Sequence, residues 1–204
     1  MKKILLIACA VIGFGVLAAD NSGDIDLPAP NLNNKATLKS ALEKRCTTRA
    51  FSNRSLSELD LSNLLWAAYG ENRPNGKRTV PAAMGIYKIT LYVALADGLY
   101  WHNRNDNVLK KISNQDVRAY SDGRKMGAKA PVVIIMVAER DKAGRDTYTA
   151  VEAGAIMQNI YLYCSAYNLG TVVCGSFDRT KLPEALKLSA NKYVILTQVI
   201  GCLP

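Results

Sequence analysis

The sequence predicts an α+β protein in which a mostly antiparallel sheet is packed by helices. Three observations predict this class. Apolar and polar residues alternate from Tyr87 to Leu95 and the pattern returns through a hairpin turn at Asp97-Gly98. Pro131 to Ala138 is a continuous apolar run typical of a buried strand, and Asp146 to Asn168 is long enough for a central helix. With 204 residues, 49% of them hydrophobic, we expect one core and no dividing linker.

The N-terminal residues 1–19 have the pattern of an export signal. A basic start is followed by the apolar stretch Ile4 to Leu17 and by small residues suited to cleavage near Ala18 or Ala19. The stretch is too short for a comfortable bilayer span, so we expect no stable membrane span. Lipid anchoring through Cys9 would leave almost no apolar run before the cysteine. We therefore predict an exported protein, periplasmic or secreted.

Beyond the signal, we divide the chain into an extended N-terminal segment, residues 20–36, and one domain, residues 37–204. The first is rich in Asn, Asp and Pro without hydrophobic periodicity. In the domain, Thr37 to Lys44 is predicted to form a short helix. The next helix is capped by Ser57 with Asp60 at the reciprocal position and carries an apolar stripe that ends at Gly70, formed by Leu61, Leu64, Leu65 and Ala68.

The remaining elements follow from shorter patterns. Glu71 to Gly85 lacks periodicity and reads as a loop, whereas Asn114 to Met126 suggests a helix. The small residues Ala150 to Ala155 within the long helix suit a central helix or a subunit interface. Further elements are a strand at Thr171–Cys174, a short helix at Pro183–Leu188 and a last strand at Tyr193–Ile200.

Composition excludes several classes of function. The formal charge of +9 comes from scattered basic residues without a basic stripe, so we expect no nucleic-acid binding. The single histidine, His102, is expected at the surface and argues against a Ser-His or Cys-His pair. The four cysteines beyond the signal have neither zinc-ligand spacing nor a disulfide framework, so most are expected as buried thiols: Cys46, Cys164, Cys174 and Cys202.

The stretch Arg45 to Phe51 is the first candidate site. Two arginines four apart, with two threonine hydroxyls between them, suit a loop that grips a phosphate, although such residues are also common on solvated surface. An enzyme without its own acid–base group usually takes its chemistry from a cofactor. Both observations point to a bound phosphate-bearing cofactor.

At this point the chain resembles the nitroreductase family of FMN enzymes, and more narrowly the subgroup that includes azoline-oxidising dehydrogenases. Arg45 to Phe51 is similar to the family's R-R-S-x-R-x-F opening, and Leu64 to Gly70 followed by Lys77 to Ala83 resembles its L-L-W-A-A-x-G … R-x-x-P-S-A segment. Three further motifs occur in the family's order: Ala130-Pro131, Gly154 with Gln158-Asn159, and Leu169-Gly170-Thr171. The resemblance covers nearly all of the chain beyond the signal.

The resemblance implies roles for individual residues. Arg45, Thr47 and Arg49 would hold the phosphate and ribityl end of FMN. Cys46 lies where relatives often carry an arginine, which would weaken that grip by one charge. One edge of the isoalloxazine would be lined by Pro81, Ala82 and Ala83, and backbone N–H groups near flavin N5 and O4 would come from Cys174, Gly175 and Ser176.

The resemblance also implies a homodimer with FMN at the subunit interface and ping-pong electron transfer to or from a small-molecule substrate. Two positions depart from the family: Ala82 stands where serine is usual and Gly85 where asparagine is usual, both polar contacts to the flavin ring. The sequence also lacks a C-terminal extension with a phosphate-binding cation, so the phosphate would rely on Arg45 and Arg49, with Arg78 as a further candidate. These departures keep open an alternative, a non-catalytic secreted protein that binds flavin or another small ligand.

Overall fold

The computed structural model describes residues 23–33, 35–141 and 144–204. The predicted export signal lies outside those residues and stays a prediction. In the described part, seven strands and four α-helices follow one another in this order: β1 Ile25–Asp26, α1 Leu38–Lys44, α2 Glu58–Tyr69, β2 Ile89–Leu95, β3 Gly98–Asn103, β4 Val108–Ser113, β5 Val132–Glu139, α3 Asp146–Ala166, β6 Leu169–Cys174, α4 Lys181–Ala185 and β7 Lys192–Cys202. None of these helices has the length and apolarity of a membrane span.

All seven strands belong to one sheet, in the order β1-β4-β3-β2-β5-β7-β6. Every neighbouring pair is antiparallel. The predicted α+β class with a mostly antiparallel sheet is thereby confirmed. Strand β6 lies at one edge of the sheet, and the two-residue β1 lies at the other.

Strand β5 is buried on both faces, which explains its continuous apolar sequence. Val132, Ile134 and Met136 pack into a cluster with residues of α2 and α3 on one face of the sheet. The alternating residues Val133 and Ile135, with Val137, pack into a second cluster on the other face, with Leu182 and Val199. The two clusters place α2 and α3 together on one side of the sheet.

Helix α2 confirms the prediction made from its local signals. The Ser57 hydroxyl accepts from the Asp60 N–H at 3.1 Å, and the Asp60 carboxylate accepts from the Ser57 N–H at 3.4 Å. This reciprocal pair satisfies two of the N–H groups that a helix start leaves unpaired. The predicted apolar stripe is buried in the core: Leu61, Leu64, Leu65 and Ala68.

The β2–β3 hairpin turns one residue earlier than predicted. Leu95 pairs with Gly98, so the two-residue turn is Ala96-Asp97 and Gly98 opens β3. A Cβ at Gly98 would collide with the carbonyl oxygen of Ser113 on β4. The glycine therefore serves the close approach of two strands and lies outside the turn itself.

Between β3 and β5 the structure departs from the sequence prediction in two places. Strand β4 was not predicted, and Asn114 to Met126 does not form an α-helix. That stretch contains a 3₁₀ turn at Arg118–Tyr120 and a loop held by Asp122, whose buried carboxylate accepts the backbone N–H groups of Arg124, Met126 and Gly127 at 2.8, 2.9 and 2.7 Å. The side chain of Asp122 competes with helical hydrogen bonding and fixes the loop instead.

The prediction that His102 lies at the surface was also wrong. The side chain is buried in β3, on the same side of the strand as Tyr100, and its Nε2 lies 3.4 Å from the Asn107 Oδ1. Burial lowers the pKa of His102 to about 4, with the nearby cations Arg104 and Arg78 acting in the same direction. The ring is therefore neutral at neutral pH and packs as part of the core.

The cysteines are arranged as the sequence indicated. All four in the described part of the chain are free thiols, and three of them are buried: Cys164, Cys174 and Cys202. Burial raises the pKa of Cys164 above its ordinary value, which keeps that thiol protonated. The fourth, Cys46, is exposed.

Candidate functional site

The segment Arg45 to Phe51 runs extended along the edge strand β6. The Arg45 N–H closes helix α1 by donating to the Ala41 carbonyl, and three residues later the Thr48 N–H donates to the Thr171 carbonyl, both at 3.0 Å. Gly170 makes this approach possible, since a Cβ there would lie 2.8 Å from Thr48 Cγ2. The backbone of the candidate phosphate loop is thus fixed by the sheet.

Tyr161, on the buried side of α3, fixes the side chains of this loop. Its hydroxyl lies 3.2 Å from Thr47 Oγ1 and accepts the Val173 N–H at 3.2 Å. The Arg45 guanidinium lies 5.2 Å from the centroid of the same ring. Because Tyr161 already accepts from Val173, its own proton can go to Thr47, which leaves the threonine free to donate to an anion. No short motif in the sequence marks this tyrosine.

Arg49 lines a cleft of about 430 Å³ together with the turn after β6. The structure brings Arg49 close to the predicted turn residues Cys174, Gly175 and Ser176. It adds Arg124, a second guanidinium that no sequence motif marks. Asp122 also lines the cleft, but its carboxylate accepts three backbone N–H groups of its own loop. The two guanidinium groups and the exposed turn of backbone therefore suit an anionic cofactor.

The loop that carries Arg124 is docked on that turn. The Gly123 N–H donates to the Ser176 carbonyl at 2.8 Å, and a Cβ at Gly123 would lie 3.0 Å from Ser176 Oγ. Burial raises the pKa of Cys174 to about 11, and the charges of Arg49 and Arg124 oppose that shift. The thiol at this turn therefore stays protonated and is no nucleophile at neutral pH.

The other predicted ring-lining residues lie in a second cleft, of about 390 Å³. Pro81, Ala82 and Gly85 line it, together with Arg78. Arg49 and the Cys174–Ser176 turn do not line this cleft. A single protomer thus divides the predicted flavin contacts between two clefts. Ala83 lies in a neighbouring groove with Met84.

Arg78 is buried between two aromatic rings. Its guanidinium carbon lies 4.1 Å from the ring centroid of Tyr69 and 4.4 Å from that of Tyr87. The residue is 5% exposed, and burial lowers the pKa of its guanidinium. In one protomer Arg78 does not share a cleft with Arg49. A contact of Arg78 with the FMN phosphate therefore stays a prediction, and it requires a second subunit.

Cys46 lies apart from both clefts. It lines a smaller cavity of about 220 Å³ with Cys164 and Thr48, and its Sγ is 3.7 Å from Thr48 Oγ1. Neighbouring residues of an extended segment point to opposite sides, so Cys46 and Arg49 face different cavities. The predicted contact of Cys46 with the cofactor has no counterpart in the Arg49 cleft.

The Arg49 cleft fits one end of FMN. Its volume, about 430 Å³, lies within the usual range of small-molecule sites. The guanidinium groups of Arg49 and Arg124 suit a phosphate, and a Cβ at Gly175 would meet no atom within 4 Å, so the turn is open to a ligand. In the described part of the chain no His, Cys, Asp and Glu cluster could hold a metal ion.

Comparison with known proteins places these features in a family. Residues 42–202 match the sequence model described as Nitroreductase family. A crystal structure of a Ralstonia eutropha protein named as a nitroreductase is similar to this chain, with a TM-score of 0.83. The two sequences are 34% identical, and the match covers 99% of this chain and 96% of that one.

Two more distant structures share the fold. The Escherichia coli microcin synthetase McbBCD complex with truncated pro-MccB17 matches at a TM-score of 0.65 and 15% identity, over 81% of this chain and 73% of that chain. A Desulfovibrio desulfuricans structure of the nitroreductase name in complex with FMN matches at a TM-score of 0.58 and 18% identity, over 82% of this chain and 86% of that chain. The nitroreductase-like fold is confirmed, and a chain of the microcin synthetase complex shares it.

Proposed function

The chain belongs to the nitroreductase family, a family of oxidoreductases, and on that premise we propose that it is an exported FMN-dependent oxidoreductase acting on a small organic molecule. The observation that carries the proposal is the cleft in which Arg49 and Arg124 face the Cys174–Ser176 turn. That cleft combines the charge for a phosphate with an exposed backbone turn for a ring edge.

The loop residues have distinct roles in this proposal. Arg49 and Arg124 bind the phosphate oxygens with charge-assisted hydrogen bonds. Thr47 and Arg45 do not line that cleft, and we propose that they approach the same group from outside it: Thr47 with the hydroxyl that lies 3.2 Å from the Tyr161 hydroxyl, and Arg45 with its charge above the Tyr161 ring. Because the segment is fixed on β6 through Thr48, these groups are in place before the ligand arrives, which reduces the ordering cost of binding.

FMN, when bound, supplies hydride acceptance and donation at flavin N5, which allows a ping-pong sequence of two half-reactions. The protein contributes position and electrostatics. The exposed turn at Gly175 and Ser176 can present backbone N–H groups toward the edge of the ring, where negative charge appears on reduction. The protonated thiol of Cys174 does not add a competing negative charge there.

We further propose that the protein is a homodimer that completes the site from two subunits. Pro81, Ala82 and Gly85 do not share a cleft with Arg49 in one protomer, so their contact with the same flavin requires a second copy. An exposed apolar surface, which we call the α3 patch, supports the homodimer. It is formed by Met84, which is 67% exposed, Ile86 (50%), Tyr148 (52%) and Val151 (64%). A second subunit would cover the α3 patch.

In this proposal, export constrains the choice of electron donor. NAD(P)H is a cytoplasmic reductant, so a substrate that itself gives up hydride or a membrane redox partner would reduce the flavin outside the cytoplasm. The second candidate function is a non-catalytic flavin or small-ligand binder. Ala82 and Gly85 favour it, because neither side chain can make the polar ring contact that the family resemblance implies at these two positions.

The visible spectrum of the purified chain without residues 1–19 tests both functions. We expect flavin absorption bands that bleach with dithionite and that return when an organic acceptor such as a nitroaromatic or a quinone is added without oxygen. Bands that bleach but do not return with any acceptor would favour the non-catalytic binder. A colourless protein that takes up no added FMN would rule out both.

A further inference from the structure

We propose that the cleft around Arg78 is a binding site for an anionic group, a carboxylate or a phosphate, carried by the molecule that exchanges electrons with the flavin. The site is distinct from the Arg49 cleft and is formed by Arg73, Lys77, Arg78 and Thr79. The assignment of the anion to a substrate rests on the proposed function, whereas the anion site itself rests only on the cleft.

The first observation is the buried charge of Arg78. The residue is 5% exposed, and its Nη1 has no hydrogen-bond partner. Glu152 attracts it electrostatically, but the two oxygens of that carboxylate accept from the Tyr69 hydroxyl and the Lys88 N–H. A buried guanidinium with an unpaired donor is costly unless a ligand completes its hydrogen bonding.

The second observation is that other unpaired groups line the same cleft. The Thr79 Oγ1 is buried without a partner, next to Arg78 in the chain. Arg73 donates through Nε to Asn72 and through Nη2 to the Arg78 carbonyl, both at 3.1 Å, which holds its guanidinium on the rim with donors to spare. Arg73, Arg78 and Thr79 therefore line one cleft of about 390 Å³, and two of them carry a buried side-chain atom without a hydrogen-bond partner.

Lys77 brings a third positive charge to the cleft. Its Nζ would lie 2.7 Å from a Cβ at Gly85, so the ammonium group rests directly over that glycine. No aspartate or glutamate lines the cleft, and among the described residues neither Arg73, Lys77 nor Arg78 forms an ion pair. Three cations without a carboxylate between them repel one another, and a bound anion would relieve that repulsion.

The location favours a substrate over a structural ion. Pro81, Ala82 and Gly85 line the same cleft and are the residues proposed to face the flavin ring from the second subunit. An anion held here would place the rest of its molecule beside that ring. Substrates with a carboxylate or phosphate would therefore be preferred over neutral analogues of the same size.

The experiment is calorimetric titration of the chain without residues 1–19, with sodium benzoate in one arm and inorganic phosphate in the other, at constant ionic strength in chloride. Saturation by benzoate that K77Q weakens identifies a carboxylate site in this cleft, and saturation by phosphate that K77Q weakens identifies a phosphoryl site there rather than in the Arg49 cleft. We expect K77Q and R73Q each to lower the affinity for the saturating probe by about tenfold, as for a lost charge-assisted hydrogen bond. The matched control is K35Q, which removes an exposed lysine outside the cleft and should leave the affinity unchanged.

FMN titration of the same variants separates this proposal from the proposed function. We expect K77Q to bind FMN as the parent protein does. Failure of both probes to saturate, or an equal loss in K35Q, would overturn the anion site. A matching loss of FMN affinity in K77Q would show that the cleft serves the cofactor and would overturn the assignment to a substrate. A parent protein that binds benzoate but no FMN would refute the oxidoreductase and keep the anion site.

Discussion

The hydroxyl of Tyr69 donates a hydrogen bond to the carboxylate of Glu152 where helices α2 and α3 meet. Both side chains are buried, with 4% and 3% of their surfaces exposed. The other oxygen of the carboxylate accepts the Lys88 N–H at 3.2 Å, just before β2. Burial, followed by the charge of Glu152, raises the pKa of Tyr69. One carboxylate thus connects two helices and the start of a strand.

Replacing Tyr69 with phenylalanine should destabilise the fold. The substitution removes one donor from a buried carboxylate, which costs about 1–3 kcal/mol in the free energy of unfolding. Urea denaturation followed by circular dichroism measures it. The matched control is Tyr148→Phe, because that hydroxyl belongs to a side chain 52% exposed. Equal stability of the two variants would show that the hydrogen bond to Glu152 contributes nothing.

Replacing Arg49 or Arg124 with alanine should weaken FMN binding and leave the fold intact, since both side chains are exposed. Loss of charge-assisted hydrogen bonds to a phosphate predicts about a tenfold to hundredfold lower affinity. Quenching of flavin fluorescence on titration measures this, and Arg104→Ala removes an exposed arginine elsewhere as the control. If Arg124→Ala binds FMN as tightly as the control, Arg124 has no part in the site.

Introducing a charge into the α3 patch should dissociate the proposed dimer. Val151 is 64% exposed in one protomer, so Val151→Glu places a carboxylate at the subunit contact without disturbing the core. Size-exclusion chromatography with light scattering should show a dimer for the parent and a monomer for the variant, with FMN lost as well. Leu59→Glu, on an exposed position of α2, should remain dimeric. A monomeric parent protein with full FMN content would contradict the two-subunit site.

His102 should make the fold sensitive to mild acid. Its pKa is about 4 in the folded protein and about 6.5 in an unfolded chain, so the unfolded chain binds more protons between these values. The stabilising contribution is complete above pH 6.5 and is lost as the pH falls through 4, by about 3 kcal/mol in total. Unfolding free energies from pH 7 to pH 4 should fall further for the parent than for His102→Gln. The carboxylates are common to both, so parallel curves would show that His102 does not titrate as its burial requires.

The elements with local signals were predictable. Helix α2 was found because Ser57, Asp60 and the apolar stripe lie within one stretch of chain, and β5 because both of its faces are buried. Strand β4 was missed because Lys110 and Lys111 interrupt its apolar pattern, and only pairing with β3 makes it a strand. The helix expected at Asn114–Met126 failed because Asp122 accepts three backbone N–H groups there.

The candidate site was predictable only in part. Arg49 and the turn at Cys174–Ser176 were named from motifs, and the structure brings them into one cleft. Tyr161 and Arg124 were not, because their places depend on how α3 and the Asp122 loop pack against β6. The burial of His102 has a signal in the sequence. His102 follows the buried Tyr100 by two residues, and alternate residues of a strand share a face.

The N-terminal part of the described chain contacts strands at both ends of the sheet. Ile25 and Asp26 pair with β4 at one edge, and Thr48 donates to Thr171 of β6 at the other. Open strand edges are templates for pairing with other chains. Loss of the residues that contact β4 and β6 would therefore do more than remove a ligand contact, since it would expose unpaired backbone N–H and C=O groups of these strands. A protein shortened beyond Ile25 would present the backbone of β4 as a template for pairing with another chain.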